Sequence, residues 1–359
     1  MILLENIPLA PLTTIKIGGP ARYFVEATDA GEVQEAAAFA RMRDLPLFVL
    51  GGGSNLLIAD AGWPGLVLKI AISGIDQPSP DQRNTDRDNP LHGKVFFDVG
   101  AGEAWDKFVS HAVRICCAGI ECLSGIPGSV GGTPVQNVGA YGQEVANTIA
   151  SVQVLDLRDN QVRELCREAC EFGYRTSIFN TTERGRFIVL RVTYALTPEG
   201  DPCISYADVK RQFEGRETPP DLAETREAVR HIRALKGMLI TPGDPDSRSA
   251  GSFFKNPVLS EKQHDDLKKR AAARGLTVPV YPALETRKKV SAAWLVERSG
   301  FTRGYGFGRV GISSKHALAI VNRGRGTATD VLALKEQIQH RVQEIWGILL
   351  EPEPVLVGF

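Results

Sequence analysis

The sequence predicts an α+β protein built of more than one domain, and three observations carry that prediction. A short apolar run, Leu47-Phe48-Val49-Leu50, enters the consecutive glycines Gly51-Gly52-Gly53 and leaves as a second extended run through Leu56, Leu57 and Ile58. A second segment, residues 124–142, carries glycines at 125, 128, 131, 132, 139 and 142 and prolines at 127 and 134, a density that no regular helix or strand tolerates. After Thr218-Pro219-Pro220 the pattern changes from strands with interspersed helices to helices separated by short strand-like runs. At 359 residues the chain is long enough for two or three cores. These changes divide it into residues 1–72, 73–217 and 218–345, with a C-terminal strand in 346–359.

Taken in order, residues 15–25 read as two strands around the turn Gly18-Gly19-Pro20. Residues 29–43 read as a helix with Val33, Ala37 and Ala40 on one face, stopped near Pro46. The first glycine loop follows. Without Cβ atoms its backbone can come close to a ligand and turn successive N–H groups inward, and Ser54 and Asn55 add small polar groups, a setting suited to a diphosphate. A dinucleotide fingerprint of the Rossmann kind fails here, because Leu56 stands where a third small residue is needed and no helix follows.

Residues 65–72 form the next strand, and 76–92 is a polar, proline-bearing surface insertion with no assigned role. A strand at 95–100 leads to a helix at 103–118, with Trp105, Phe108, Val109, Ala112, Val113 and Cys116 sharing a face and Gly119 as its cap. His111 in that helix reads as a packed or surface histidine rather than a ligand. The glycine-rich segment 124–142 is poor packing material but suits a wall around a large planar ligand, where backbone amides reach in and proline fixes the path. Strands return at 151–157 and 186–195, with a helix at 164–171 between them. Arg175, flanked by Tyr174 and apolar residues, is either a surface arginine with a packed stem or a cation held near an anionic substrate.

In the last third, helices are read at 221–236, ended by Gly237, and at 260–274, with Ser260 and Gln263 as a capping box and Gly275 as its cap. Further helices are read at 292–299, ended by Gly300, and at 329–346, striped by Val331, Leu334, Ile338, Val342 and Ile345. A strand-like run at 250–257 carries the small polar Ser252 near its start, and the tail 348–357 reads as a strand interrupted by Glu351 and Glu353.

Composition narrows the function. Lys+Arg and Asp+Glu are both 42, so the formal charge is zero, which argues against broad nucleic-acid or membrane-surface binding. The first residues lack a basic n-region, and the apolar run 66–72 is broken by Lys69, so neither a signal peptide nor a membrane span is expected and the cytoplasm is the expected compartment. Cys116, Cys117, Cys122, Cys166, Cys170 and Cys203 show no zinc-type spacing; they are read as small buried hydrophobes rather than metal ligands or disulfides.

Six motifs in order carry a resemblance: Gly51-Gly52-Gly53-Ser54-Asn55, Gly125 to Gly132, Gln136 to Gly142, Tyr174-Arg175-x-Ser177-x-Phe179, Gly251-Ser252-Phe253-Phe254-x-Asn256-Pro257, and Leu350-Glu351-Pro352-Glu353. From about Thr14 to Glu353 the chain resembles the UDP-N-acetylenolpyruvoylglucosamine reductase (UDP-N-acetylmuramate dehydrogenase) family of flavoenzymes. The resemblance implies a vanillyl-alcohol-oxidase-type FAD-binding fold of two α/β subdomains, here 1–72 and 73–217. It also implies a C-terminal α+β substrate domain at 218–345 and a last strand returning to the active site. The implied reaction takes electrons from NADPH to FAD and then to UDP-N-acetylglucosamine enolpyruvate, giving UDP-N-acetylmuramate for peptidoglycan synthesis.

That chemistry asks for a cation and an acid near the substrate carboxylate and a proton donor to C2. By the resemblance, Arg175 and Glu353 stabilise the enolate and Ser252 donates the proton. Glu353 must then stay protonated, with Glu351 either the neighbouring carboxylate that helps or an exposed strand residue. The resemblance puts Gly51, Gly52, Gly53, Ser54, Asn55, Ile126, Pro127, Gly128, Gly131, Gly132, Thr133, Val135, Gly139 and Arg233 at the flavin. It puts Tyr141, Tyr206, Lys236, Asn256, Tyr281 and Lys289 at the UDP-sugar, Lys236 and Lys289 on its diphosphate. Glu353 is followed by Pro354 and Val355, where the family commonly has Val-Arg, so a basic residue expected near the flavin is missing. No metal, nucleic acid or membrane partner is implied, and a monomer is expected. Two rival readings stand: another FAD oxidoreductase of this fold, such as a sugar or lactone oxidase, and a non-catalytic module binding a nucleotide sugar.

Overall fold

A computed structural model describes residues 1–78, 91, 93–282 and 287–359. Most of the 76–92 insertion lies outside the described residues. The chain divides into two compact units, Met1–Ile7, Ala21–Gly52 and Pro64–Leu235 in the first, and Pro8–Pro20, Gly53–Trp63 and Lys236–Phe359 in the second.

The first unit holds two sheets. One orders Leu4–Pro8, Pro20–Ala27, Trp63–Ile70 and Leu47–Leu50, the last two parallel with Leu47 opposite Leu66. Helix α1, Ala30–Met42, connects Pro20–Ala27 to Leu47–Leu50, and its start is fixed by Asp29, whose side chain accepts from the Glu32 amide. The other sheet is antiparallel and orders Gln161–Cys166, Ile149–Asp156, Phe187–Pro198, Val95–Gly100 and Ile75–Asp76. Helices α2 (Trp105–Arg114), α3 (Ala207–Gln212) and α4 (Leu222–Leu235) complete the unit. Phe97, Trp105, Phe108 and Tyr194 are fully buried and meet edge-on or tilted at 5.0–5.9 Å. Burial pushes the Tyr194 phenol up, and its hydroxyl is satisfied by Thr133 Oγ1 at 2.6 Å, which ties the core to the second glycine segment.

In the second unit, Ser249–Ser252, Ala319–Asn322, Val310–Ile312 and Gly306–Phe307 form one sheet, and Val258–Leu259, Lys288–Val290 and Val280–Pro282 another. Helices α5 (Glu261–Ala272), α6 (Ala292–Glu297) and α7 (Ala328–Trp346) pack on a core that includes Phe253, Phe254, Leu295, Ile320, Leu334 and Trp346. The expected Ser260–Gln263 capping box is present on α5. A second box, Thr327 with Asp330, opens α7, where Asp60 also accepts from the amides of Ala328 and Thr329. Asn322 Nδ2 donates to the carbonyls of Ile15 and Lys16, fixing the buried Ile15 and Ile17 in this core.

Four expectations are corrected. Residues 15–17 are not a strand: Lys16 takes φ +58°, which breaks extended geometry while leaving the flanking isoleucines buried. Residues 161–166 form a strand where a helix at 164–171 was expected, because pairing of Ser151 to Asp156 with Gln161 to Cys166 claims the backbone donors, and only a 3-10 turn follows at Glu168–Cys170. Helix α2 stops at Arg114, and Cys116 at φ +55° rather than Gly119 supplies the left-handed residue after it. In the tail only Val355–Val357 is a strand, parallel to Leu56–Ile58 with Val355 opposite Leu56.

Candidate active site

In the first unit the strand Leu47–Leu50 delivers Gly51 and Gly52 against the second glycine segment. A β-carbon at Gly52 would lie 2.5 Å from Gly128 Cα, and one at Gly51 would lie 2.8 Å from Ser129 Oγ. Backbone therefore meets backbone, which only glycine permits at this separation. Ser129, buried at 7% exposure, has a hydroxyl with no hydrogen-bond partner among the described residues. An unspent donor beside Gly51, in a place cleared of side chains, fits an anionic diphosphate such as the one in a flavin dinucleotide.

The mouth of this segment is held from α2 and α4. Asp106 accepts from the Gly125 amide at 2.6 Å, from Arg226 through both oxygens at 2.6 and 2.9 Å, and from Arg230 at 2.9 Å. Burial works against the Asp106 charge, but Arg226, the Gly125 amide and Arg230 outweigh it and hold the carboxyl below the usual range. Arg233, one turn further along α4, donates through Nε to the Gly125 carbonyl at 3.1 Å. Burial lowers its guanidinium from the ordinary value, opposed by Tyr141, with which it shares a hydrogen bond. Tyr141, at φ +49°, meets Tyr206 edge-on with ring centroids 5.6 Å apart. Arg175, also left-handed at φ +58°, donates to the Gly139 carbonyl at 2.8 Å and lies over the Tyr174 ring. Non-glycine residues held at positive φ cluster here, at Asn137, Tyr141 and Arg175.

A second constellation belongs to the second unit. Gly53, at φ +63°, brings its backbone so near Leu12 that a β-carbon would fall 2.0 Å from the Leu12 carbonyl. The Thr14 amide donates to the Gly53 carbonyl at 3.0 Å, and the Thr14 hydroxyl to the Ser249 carbonyl at 2.6 Å. That hydroxyl thus ties the loop to the strand bearing Ser252. The Glu353 amide donates to the Phe253 carbonyl at 2.9 Å, and Asn55 Nδ2 to the Glu353 carbonyl at 3.3 Å. Glu353 is therefore held by the Asn55 side chain and by the backbone of Phe253, the residue after Ser252. Glu351, two residues before Glu353, is 75% exposed and pairs with Lys255 at 3.8 Å, so of the two alternatives it is the exposed residue, though not in a strand. Tyr281 and Lys289 face each other across a strand pair, and Asn256 Oδ1 accepts from the Ala292 amide at 2.9 Å, capping α6.

Arg175, Tyr141, Tyr206, Arg233, Gly139 and the glycine contacts thus lie in the first unit, and Gly53, Ser54, Asn55, Lys236, Ser252, Asn256, Tyr281, Lys289 and Glu353 in the second. Residue reasoning passed over Ser129, Asp106 and Thr14. Ser129 sits inside a motif that was read for its glycines, and an acid in the first turn of a helix looks like an ordinary dipole partner.

Two family models match. One, described as FAD binding domain, covers residues 21–165; the other, described as UDP-N-acetylenolpyruvoylglucosamine reductase, C-terminal domain, covers residues 244–357. The UDP-N-acetylenolpyruvoylglucosamine reductase of Thermobifida fusca (strain YX) is 43% identical over 99% of this chain and 98% of its own length. The chain belongs to the UDP-N-acetylenolpyruvoylglucosamine reductase family. A reductase of that name from Streptomyces coelicolor is 43% identical, over 99% of this chain and 90% of its own. The crystal structure of the UDP-N-acetylenolpyruvylglucosamine reductase of Thermus caldophilus is similar with a TM-score of 0.63, at 27% identity, and covers 99% of this chain and 98% of that one. The α+β class with a flavin-binding fold, expected from the sequence, is borne out by these matches.

Proposed function

We infer that this chain reduces UDP-N-acetylglucosamine enolpyruvate to UDP-N-acetylmuramate, with FAD as resident coenzyme and NADPH as reductant, in peptidoglycan precursor synthesis. The observation that carries the reading is identity of 43% along 99% of the chain to a reductase of this name. It is supported by the side-chain-free contact of Gly52 with Gly128 beside the orphan Ser129 hydroxyl, which suits a flavin dinucleotide. Among the described residues no helix is long and apolar enough to cross a membrane, and we propose a cytoplasmic monomer.

When bound, FAD supplies the hydride, taken from NADPH, that adds to C3 of the enolpyruvyl ether. The chain's own residues do the rest. Gly51, Gly52, Gly128 and Ser129 cradle the coenzyme diphosphate, and the wall from Ile126 to Gly139 keeps water from the ring. The Arg175 guanidinium holds the substrate carboxylate, and protonated Glu353 donates to the same group as negative charge accumulates there. The Ser252 hydroxyl then gives its proton to C2. Tyr141, Tyr206, Asn256 and Tyr281 orient the sugar and uridine, with Lys236 and Lys289 on the diphosphate.

The test is anaerobic. Purified protein should be yellow, NADPH should bleach it, and the colour should return on adding the enolpyruvyl sugar in the absence of oxygen. A colourless protein that cannot take up FAD would favour the binding module. A flavoprotein that NADPH does not bleach, yet which a simple sugar does, would favour the oxidase.

A further inference from the structure

The cysteines are not uniformly buried, as the sequence reading had them: Cys116, Cys166 and Cys203 are exposed. One exposed–buried pair stands next to the residues of the first unit described above. Cys122 is fully buried, packed with Val209, Val229 and Ile232, and its sulfur lies 3.3 Å from the Cys203 carbonyl oxygen. The same two side chains brace both backbones. The Cys122 amide donates to Gln143 Oε1 at 2.7 Å, Gln143 Nε2 donates to Glu121 Oε1 at 2.7 Å, and the Cys203 amide donates to that same Glu121 oxygen at 2.8 Å. Two residues on, Ser205 Oγ occupies the place of a β-carbon at Gly142, at 2.1 Å, and Tyr206 packs edge-on against Tyr141.

We propose that Cys122 and Cys203 are a redox modification site whose disulfide fastens the loop bearing Tyr206 to the wall behind it. The contact sets the Cys122 sulfur against the backbone of Cys203, and the bond requires the Cys203 side chain to turn from Ser205, whose Oγ lies 4.0 Å from its sulfur, towards Cys122. The bracing through Glu121 and Gln143 already tethers the two backbones to each other. Cys166 and Cys170 look similar, with Cys170 sulfur 3.5 Å from the Cys166 carbonyl, but that is a local contact between residues four apart and touches no site residue.

The oxidant is a hydroperoxide. The accessible Cys203 thiolate attacks the peroxide O–O bond, hydroxide leaves, and Cys203 becomes a sulfenic acid. The Cys122 sulfur, having lost its proton to solvent, attacks the Cys203 sulfur and displaces its hydroxyl, which leaves as water once protonated. Two thiols lose two electrons, and one hydrogen peroxide becomes two waters. Burial raises the Cys122 thiol, so the second step is slow and quickens with rising pH.

The effect on catalysis rests on the reading of Tyr206 as a sugar contact, whereas bond formation does not, and the experiment separates the two. FAD-loaded enzyme is treated with hydrogen peroxide, alkylated, and digested without reductant for mass spectrometry. We expect a Cys122–Cys203 linked peptide that dithiothreitol releases and that neither Cys203→Ser nor Cys122→Ala yields. In the linked wild type, KM for the enolpyruvyl sugar should rise about threefold or more and return on reduction, with NADPH bleaching unchanged. Linkage at Cys166–Cys170 alone, or Cys203 driven to sulfinic acid with Cys122 still a thiol, overturns the site. A linked enzyme with unchanged KM overturns the clamp on Tyr206.

Discussion

At Gly52 one methyl group decides whether two loops can touch. In Gly52→Ala the new carbon would lie 2.5 Å from Gly128 Cα and 2.7 Å from the Ser129 amide nitrogen, backbone atoms that cannot rotate away. Overpacking of this kind costs about 1–3 kcal/mol, so we expect FAD affinity to fall roughly tenfold or more in a fluorescence titration. Unchanged affinity would remove the loops from the coenzyme site. Ser252→Ala and Glu353→Gln probe the other unit. Both should leave NADPH bleaching near normal and slow reoxidation by the sugar by about 10²–10⁴, the usual worth of a positioned proton donor. Glu351→Gln should do little, since that side chain is 75% exposed on Lys255. Equal loss of both half-reactions in Ser252→Ala would contradict the donor role. The roles of Ser252 and Glu353 come from the family resemblance; by its type and position alone Ser252 reads as a hydroxyl at the start of a strand. Ser129 was not legible, because the meaning of its hydroxyl depends on Gly51 arriving from far along the chain.

At the scale of elements, α4 acts through one face. Arg226 and Arg230 converge on Asp106 in α2, and Arg233 reaches the Gly125 carbonyl, so one carboxylate sets where the second glycine segment begins. Burial alone would raise Asp106, yet its arginine and amide partners hold it below the ordinary carboxylate value. A depressed folded-state pKa gives stability that is full above the unfolded value of about 4 and is lost as pH falls through the folded one. Asp106→Asn keeps the shape but loses the charge-assisted bonds, and should destabilise by about 1–3 kcal/mol at pH 7. Below pH ~4 the gap between wild type and variant should narrow in thermal melts; a constant gap across pH would show that the charge is irrelevant. The helix start at Ser260 is readable because a cap is a local bond between near neighbours, whereas the box at Thr327 lies two residues before the expected start at 329 and was passed over. The strand at 161–166 was not readable, since its partner, not its own propensity, makes it a strand. Nor was Lys16, whose left-handed backbone interrupts an alternation that otherwise reads as extended.

At the scale of the whole molecule, the second unit is assembled from three stretches of chain, and its folding should need all of them. Ile15, Ile17 and Leu57 are 0–2% exposed in its core, the strand Leu56–Ile58 pairs with Val355–Val357, and Asp60 caps α7. None of this marks the sequence, because an isoleucine at 15 or a leucine at 57 carries no sign of which core it will join. Burying each such side chain contributes about 1.5–3 kcal/mol, so losing three removes roughly 5–9 kcal/mol. That is comparable with the whole stability of an ordinary domain, about 5–15 kcal/mol. A fragment of residues 236–359, cut where the long C-terminal stretch begins, should therefore show no cooperative thermal transition by circular dichroism and should bind a dye for exposed apolar surface. Within the full chain, Leu57→Ala should lower stability by about 2–5 kcal/mol through the cavity it leaves. A sharp melt from the isolated fragment would mean that residues 8–20 and 53–63 only decorate a core complete without them.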